Sequence, residues 1–177
     1  FGGESDLSAK LLRMVHLRAF EEDPLRLMRG VQFATRFYLK IEPQTFEAMQ
    51  KAAPLIRTVS PERISEELRK LLSAEKPSIG FIWMRDIDLL KEVFPELAEN
   101  VGVLQGNKFQ NDDVFMHTMR VLDASRKDPA IPFSGDLDLI LSALFHDVGK
   151  ARTKGFDKEK NRMTFYGHQL VSKRMAR

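Results

Sequence analysis

The sequence predicts an all-α protein, a chain of packed helical hairpins. In almost every segment, apolar residues recur at the three- and four-residue spacing of amphipathic helices. Two start signals, Asp23-Pro24 and Ser60-Pro61, place a side chain able to cap a helix before a proline suited to its first turn. The spacing and the start signals together indicate helices along most of the chain.

The helices are expected to follow one another with short connections. In chain order they run from Asp23 through Thr35, Pro43 to Ile56, Ser60 through Leu72, Pro77 through Leu90 to a stop near Phe94-Pro95, Asp112 to Arg126, Asp136 to Asp147, and from Gly167 onward. The second of them should bend or end near Pro54, because proline lacks the amide donor that a helix interior needs. The charged stretch 151–164 is expected to be a loop or a short hairpin.

A shift to Gly, Asn and Gln between Val101 and Gln110 predicts a domain boundary, with one domain over 19–105 and a second over 106–177. Both ends of the sequence have the character of interrupted segments, so we expect a piece of a longer protein. The 177 residues, 43% hydrophobic and 30% charged, suffice for one medium or two small domains with cores.

Composition excludes several classes of function. No cysteine is present, which rules out disulfides, cysteine-ligated zinc fingers and thiol catalysis. No apolar stretch approaches the roughly 20 residues that span a bilayer, so we expect no membrane partner and a cytoplasmic protein. The net charge of +3 is compatible with a nucleic-acid partner but does not require one.

Asp23 and Arg26 lie three residues apart at a helix start, where their side chains are neighbours. The carboxylate only accepts hydrogen bonds and the guanidinium only donates them. Cytosine and adenine each present an amino donor beside a ring-nitrogen acceptor, which matches this pair, whereas guanine and uracil present an oxygen where Asp23 needs a donor. The pair could therefore accept C and A and reject G and U, each mismatch costing roughly 1–3 kcal/mol.

Arg26, Arg29 and Arg36 share one face of the same helix, a stripe that could hold a triphosphate or an RNA backbone. Another interpretation stays open from these residues alone. Asp23 could serve only as a helix cap, and Arg26 only as the partner in a surface ion pair.

The sequence from Phe20 to Phe37 resembles the neck motif of bacterial class II tRNA nucleotidyltransferases and poly(A) polymerases, a Glu-Asp-x-x-Arg pattern. Three further stretches are similar to the family in the same order. They are Phe1 to Leu7 with Leu12-Arg13, Val59 to Ile64 with Glu67-Leu68, and Phe94 to Leu97. The resemblance covers essentially the whole chain, and it implies that residues 1–18 are the end of a flexible loop of the polymerase head domain.

The resemblance implies roles for individual residues. Asp23 and Arg26 would face the base edge of incoming CTP or ATP, and Arg29 would lie near the phosphates or orient Asp23. Arg36 and Arg63 become candidates for contact with RNA or phosphate. The family adds nucleotides to the 3′ end of tRNA or other RNA, and its members share this motif whether they add C, A, CCA or a poly(A) tail.

The family's chemistry needs carboxylates that hold Mg²⁺ on a strand of the head domain. The two Asp-x-Asp look-alikes, Asp86-Ile87-Asp88 and Asp136-Leu137-Asp138, fall in helical patterns, where residues two apart point in different directions. We assign both to helix surface or capping. No catalytic residue for polymerisation is therefore expected in this chain.

A second group of residues has the character of a metal site. His146-Asp147 closes an apolar helix, and His117 lies on the inward face of an earlier helix. A carboxylate and imidazoles from two helices can converge on one divalent ion, such as Mg²⁺, Mn²⁺, Fe²⁺, Ni²⁺ or Zn²⁺. A histidine satisfied within the core is the competing interpretation.

The stretch from Leu144 to Lys150, after a helix with His117, resembles the HD phosphohydrolase superfamily. The resemblance implies an HD-type metal domain over 106–177, truncated before its distal aspartate, with His168 as a ligand for a second metal or a phosphate contact. The alternative function is then a metal-dependent phosphohydrolase acting on nucleotides or cyclic phosphates. A purely RNA-docking helical module is a third.

Overall fold

The structure is a computed structural model that divides into two compact units, Phe1–Val93 and Phe94–Arg177. It describes residues 2–105, 112–127, 130, 135–159 and 161–176. Helices dominate the described residues, and their strands are only two or three residues long, which confirms the all-α prediction.

The first unit is a helical array with one minimal strand pair. Its elements in chain order are α1 (Gly3–Ser8), β1 (Leu11–Leu12), α2 (Ala19–Glu22), α3 (Leu25–Phe37), β2 (Lys40–Ile41), α4 (Pro43–Ala52), a 3-10 helix (Ala53–Thr58), α5 (Pro61–Leu72), α6 (Ser78–Asp86) and α7 (Leu90–Val93).

Helix α3 lies at the centre of the first unit, because it packs against α2, α5 and α6. Its apolar stripe of Leu27, Met28, Val31 and Ala34 has no exposed surface. This stripe follows the three- and four-residue spacing that predicted the helix. Burial on this face fixes α3, and the arginines of its opposite face remain available to solvent.

Gly80 lets α6 approach α3 and α5 closely. A Cβ built on it would lie 2.6 Å from Cδ1 of Leu71 on α5 and 2.7 Å from Oγ1 of Thr35 on α3. Both distances are shorter than non-bonded contact allows, so only glycine fits between these helices.

Two helices differ from their predicted lengths. Helix α4 passes into the 3-10 helix at Ala53, next to the Pro54 that predicted a bend there. The helix predicted from Pro77 through Leu90 is interrupted, because α6 ends at Asp86 and Asp88 adopts a left-handed φ of 62°. A left-handed residue cannot continue a right-handed helix, so α7 begins only at Leu90.

The segment before α3 contains structure that the sequence did not predict. The residues read as a loop begin a short helix, α1, at Gly3, with Glu4 and Asp6 in its first turn, where acidic side chains are favourable. Strand β1 then pairs in parallel with β2. Strands this short carry no detectable alternation, so their pairing is invisible in sequence.

The second unit is built around two helices that pack against each other. Its elements are α8 (Pro95–Ala98), α9 (Val114–Lys127), α10 (Leu137–Phe145), a 3-10 helix (Ala151–Thr153), the antiparallel strands β3 (Gly155–Asp157) and β4 (Arg162–Thr164), and α11 (His168–Met175). The β3–β4 hairpin confirms one of the two forms expected for 151–164. Asp136 accepts hydrogen bonds from the first amides of α10, which is the capping role assigned to it.

The division between the units precedes the boundary predicted near residue 105. Asn100 is completely buried, and its Nδ2 donates to the carbonyl of Val148 while its Oδ1 accepts from the amide of Ala151. These bonds attach the segment after Val93 to the second unit. The rest of the predicted boundary stretch, residues 106–110, lies outside the described residues. In the described part of the chain, no helix has the length and apolar character that crossing a bilayer demands.

Candidate functional site

Asp23 lies between α2 and α3 with φ −144° and ψ 95°, the extended conformation that a following proline favours. Its Oδ1 accepts a hydrogen bond from the amide of Leu25 at 3.3 Å. This local bond places the carboxylate beside the first amide of α3, although Pro24 takes the N-cap position itself. The helix begins at Leu25, one residue later than predicted, with Pro24 as the flanking residue.

Arg63 of α5 holds the Asp23 carboxylate. Its Nη2 lies 3.3 Å from Oδ1 and 3.4 Å from Oδ2 of Asp23. The arginine side chain is 52% exposed and the aspartate side chain 28%. A contact this exposed contributes little stability, but it fixes the direction of the carboxylate. Arg63, predicted as an RNA or phosphate contact, is therefore first a partner of Asp23.

Arg26 is held separately from Asp23. Its Nη1 donates to the carbonyl of Ala19 at 3.0 Å and lies 3.6 Å from Glu22. Its Nε and Nη2 have no acceptor among the described residues. Asp23 and Arg26 therefore lie at one helix start, where each is partly exposed and each is held by a different group. The charge of one side chain does not neutralise the charge of the other.

Only two of the three arginines on this face of α3 line a common cavity. Arg26 and Arg29 line a cavity of about 320 Å³ together with Phe33. Arg36, on the same helix, does not line it. Its Nη1 donates to Gln32 at 3.3 Å, and its guanidinium lies 5.5 Å from the centre of the Phe37 ring.

Sequence reasoning did not single out Arg13 as a site residue, although it lines the same cavity. It forms ion pairs with Asp6 at 3.0 Å and Glu42 at 3.3 Å, and hydrogen bonding to Asp6 raises its pKa. Pairing of β1 with β2 brings Arg13 and Glu42 together. No periodic signal in the sequence reports that pairing.

The predicted metal ligands meet in the second unit. His117 of α9, and His146 and Asp147 at the end of α10, place one ligand atom each within 4.8 Å of one another. Nε2 of His146 is 3.0 Å, and Nε2 of His117 is 3.6 Å, from Oδ2 of Asp147. His168, the first residue of α11, approaches the other oxygen, with Nε2 3.4 Å from Oδ1.

Two of these histidines are oriented by backbone carbonyls. Nδ1 of His146 lies 2.8 Å from the carbonyl of Ala143, and Nδ1 of His168 lies 2.8 Å from the carbonyl of Phe165. A carbonyl only accepts, so Nδ1 carries the proton and Nε2 turns toward Asp147. Metal-binding histidines commonly have this arrangement, with the second nitrogen held by an outer partner.

Burial and the interactions with neighbouring groups act in opposite directions on the charge states within the cluster. Burial by itself raises the pKa of Asp147, but hydrogen bonds from His146 and Lys150 outweigh it and lower the pKa to about 2. Burial lowers the pKa of His117, against the attraction of Asp147. The hydrogen bond to Asp147 raises the pKa of His146. The carboxylate is thus ionised and His117 neutral near pH 7.

The donor set fits a divalent ion. An ionised carboxylate and neutral imidazoles are ligands for the metals predicted from sequence. His117 and Asp147 would hold the ion as they stand, and His146 would join them once Nε2 gives up the proton that it donates to Asp147. Lys150 donates to Oδ2 of Asp147 at 2.7 Å, so its ammonium supplies positive charge at the same oxygen. Arg152, in the 3-10 helix that follows Lys150, instead forms a two-bond ion pair with Glu99.

Comparison with known proteins supports the resemblance to tRNA nucleotidyltransferases. The family described as "Probable RNA and SrmB-binding site of polymerase A" matches residues 39–100. The A-adding tRNA nucleotidyltransferase of Deinococcus radiodurans is 34% identical over 177 residues, covering 96% of this chain and 39% of that protein. The multifunctional CCA protein of Nitrosococcus oceani is 36% identical over 172 residues, covering 95% and 40%.

The chain belongs to the class II tRNA nucleotidyltransferase family. It spans about two fifths of the length of these nucleotidyltransferase relatives. The fold agrees with a solved tRNA nucleotidyltransferase complexed with a primer tRNA and an incoming ATP analog. That structure superposes with a TM-score of 0.61 at 24% identity, over 82% of this chain and 40% of that one.

Proposed function

We propose that this chain is the base-selecting and RNA-contacting part of a template-independent nucleotidyltransferase that extends the 3′ end of tRNA or another RNA. The observation that supports this most directly is the separate anchoring of Asp23 and Arg26 at one helix start. Arg63 binds the carboxylate of Asp23, and the carbonyl of Ala19 accepts a hydrogen bond from the guanidinium of Arg26. Each remains partly exposed to a ligand.

The hydrogen-bonding capacity left at this helix start matches C and A. A carboxylate has about four acceptor positions, and Asp23 receives bonds from Arg63 and the amide of Leu25. Arg26 keeps the N–H groups of Nε and Nη2. An acceptor beside donors complements the amino group and ring nitrogen of cytosine or adenine. In this role the protein replaces a template base, and CTP and ATP are the proposed substrates.

The cavity beside this pair supplies the phosphate contact. Arg29 lines it together with Arg26 and Arg13. Guanidinium groups bind phosphate oxygens by paired hydrogen bonds, which suits a triphosphate. Arg36 and Arg63 lie outside the cavity lining, and of these we propose only Arg36 as a contact for the RNA backbone.

Substitution of Asp23 by asparagine in the intact enzyme tests the proposal. An amide both donates and accepts, so it can rotate to suit G and U. We expect the preference for CTP and ATP over GTP and UTP to fall about tenfold, since one mismatched group costs roughly 1–3 kcal/mol. Asp86→Asn is the matched control, because Asp86 pairs with Arg85 on α6. Unaltered base preference in Asp23→Asn would contradict base selection by this residue.

A second function is favoured by the convergence of His117, His146 and Asp147. We propose that the second unit binds one divalent ion, of the Mg²⁺, Mn²⁺, Ni²⁺ or Zn²⁺ type, and acts as a phosphohydrolase on nucleotides or cyclic phosphates. Such an ion would supply a bound water with a lowered pKa. The residues of this chain hold the ion and, through Lys150, balance the charge of Asp147.

Elemental analysis of the intact protein, followed by phosphate release from 2′,3′-cyclic nucleotides, tests this second function. His146→Ala should lower both the metal content and the release of phosphate. His16→Ala is the control, since His16 lies in the first unit, where its ring pairs with Glu22. Full metal content and activity in His146→Ala would show that the cluster is not the hydrolytic site.

A further inference from the structure

The end of α3 presents two aromatic side chains to solvent. Phe37 is 50% exposed and Tyr38 is 45% exposed. The Phe37 ring is held in place, because the centre of the Phe33 ring lies 6.1 Å from its own and the guanidinium of Arg36 lies 5.5 Å from it. Neither proposed function uses this aromatic surface, Phe37 with Tyr38, although aromatic rings fixed at a surface offer a flat face to a ligand.

Tyr38 occupies a backbone position that glycine would fill at lower cost. It follows the last residue of α3 with φ 54° and ψ 44°, and the amide of Leu39 donates to the carbonyl of Ala34 at 2.9 Å. Glycine usually makes this helix ending, since an L side chain is strained in left-handed backbone. The need to end the helix therefore does not account for a tyrosine. Strained residues are concentrated at ligand sites, which points to a role for the ring itself.

Three exposed cations accompany the aromatic surface. Arg36 precedes Phe37, and Lys40 follows Tyr38 by two residues. The amide of Lys40 donates to the carbonyl of Lys10 at 2.9 Å, which brings the third cation alongside. Among the residues that the structure describes, none of these cations forms an ion pair. Cations without acidic partners complement phosphates, and exposed rings complement unpaired bases, because the bases of a duplex are already stacked within it.

The length of α3 suits a single strand that reaches both of its ends. Phe37 lies twelve residues after Leu25, which is about 18 Å along the helix axis. Stacked nucleotides rise about 3.4 Å each, so roughly five unpaired nucleotides, or fewer in an extended strand, would span this distance. Arg29, Phe33 and Arg36 share the face of α3 that connects the two ends.

We propose that Phe37 and Tyr38 stack against unpaired bases of the RNA tail, with Lys10 and Lys40 at its phosphates. The strand follows the arginine face of α3 from the base-selecting residues to the aromatic surface, and Arg36 contacts its backbone there. The inference rests on the proposed extension of an RNA 3′ end. It adds the form of RNA that is bound, a single-stranded tail several nucleotides long, and the residues that recognise this form.

Two hairpin RNAs test the proposal by fluorescence anisotropy with the intact enzyme, one with a single unpaired 3′ nucleotide and one with five. The parent enzyme should bind the longer tail at least about fivefold more tightly, because stacking adds affinity for each base that reaches a ring. Phe37→Ala should lose most of this preference, whereas Tyr38→Phe keeps the ring and should retain it. Equal affinity of the parent for both RNAs would overturn the proposal.

Tyr38→Gly separates a ligand role from a structural one. Glycine relieves the left-handed backbone, so the melting temperature should stay within about 2 °C of the parent or rise, while the preference for the longer tail falls about fivefold or more. Tyr166→Gly is the matched control, because it removes a tyrosine that is 72% exposed in the second unit. An undiminished preference in Tyr38→Gly, or equal losses in both variants, would contradict stacking at α3.

The double substitution Lys10→Gln with Lys40→Gln tests the phosphate contacts. Loss of two contacts to a single strand should reduce the slope of log affinity against log salt by about 1.4, at roughly 0.7 per phosphate. Lys154→Gln with Lys158→Gln makes the same charge change in the second unit and should leave the slope for the five-nucleotide tail unaltered. The parent slope in Lys10→Gln with Lys40→Gln would show that these lysines do not contact the tail.

Base choice reports separately on the residues at the start of α3. If Asp23→Asn leaves base choice unaltered while Phe37→Ala and Tyr38→Gly lose the preference for the longer tail, base selection by Asp23 fails and the single-strand surface stands. If base choice changes in Asp23→Asn while both ring variants keep the preference, base selection stands and the aromatic surface is not an RNA site.

Discussion

Substitution of Arg63 by glutamine is expected to weaken base discrimination while leaving the fold nearly as stable. Arg63 holds Asp23 through two contacts, of 3.3 and 3.4 Å, across a surface where the side chains are 52% and 28% exposed. Exposed ion pairs contribute about 0.2–1 kcal/mol. The melting temperature should therefore fall by no more than about 3 °C.

The effect on base choice should be larger than the effect on stability. In Arg63→Gln the carboxylate of Asp23 still accepts a hydrogen bond from the amide of Leu25, but it no longer has an ion-pair partner on α5. An acceptor that is poorly placed for the amino group of C or A forfeits part of the roughly 1–3 kcal/mol that separates right from wrong bases. We therefore expect the ratio of kcat/KM for ATP to that for GTP to fall about five- to tenfold.

Incorporation of each nucleotide at an RNA 3′ end by the intact enzyme provides the measurement. The matched control is Arg152→Gln, which breaks a two-bond ion pair with Glu99 of similar exposure, 48% and 40%, in the second unit. It should change stability by a similar amount and base choice not at all. Equal ratios in the parent and Arg63→Gln enzymes, or equal losses in both variants, would refute the positioning argument.

Two further predictions concern stability. In metal-free protein the depressed pKa of Asp147 should contribute up to about 2 kcal/mol that is present above pH 4 and lost as the pH falls toward 2; acid unfolding followed by circular dichroism should show this loss, and Asp147→Asn should lack it. Gly80→Ala should destabilise the first unit by about 1–3 kcal/mol in thermal melts, because its Cβ would meet Leu71 and Thr35, whereas Gly3→Ala, with open space around it, should not.

The helices of this chain could be predicted from sequence because their signals are local. The apolar stripe of α3 and the Ser60-Pro61 start of α5 each act within one turn. The histidine cluster was also accessible, since the His146-Asp147 pair ends an apolar helix. The helix predictions and the His146-Asp147 pair depend on residues only a few positions apart, whereas His117 was added because the spacing of its own helix places it on the inward face.

The contacts that orient the sites could not be predicted in the same way. Arg63 and Asp23 are 40 positions apart, and Lys150 and Gln105 are 45 positions apart. Each contact depends on where the helices and loops carrying it lie in space. The exposure of the Tyr38 ring is visible only when every neighbour has a position, because a tyrosine in sequence carries no sign of burial.

Two kinds of interaction position helix α3 and the carboxylate of Asp23, the proposed base-selecting group, and they respond differently to salt. Leu27, Met28 and Val31 fix the position of α3 by apolar burial, which salt does not screen. The direction of Asp23 depends on a partly exposed ion pair with Arg63, which is weakened as the Debye length falls from about 10 Å at 0.1 M salt to about 3 Å at 1 M. Rising salt should therefore reduce base discrimination before it unfolds the helix, and an enzyme whose discrimination and stability declined together would contradict this division.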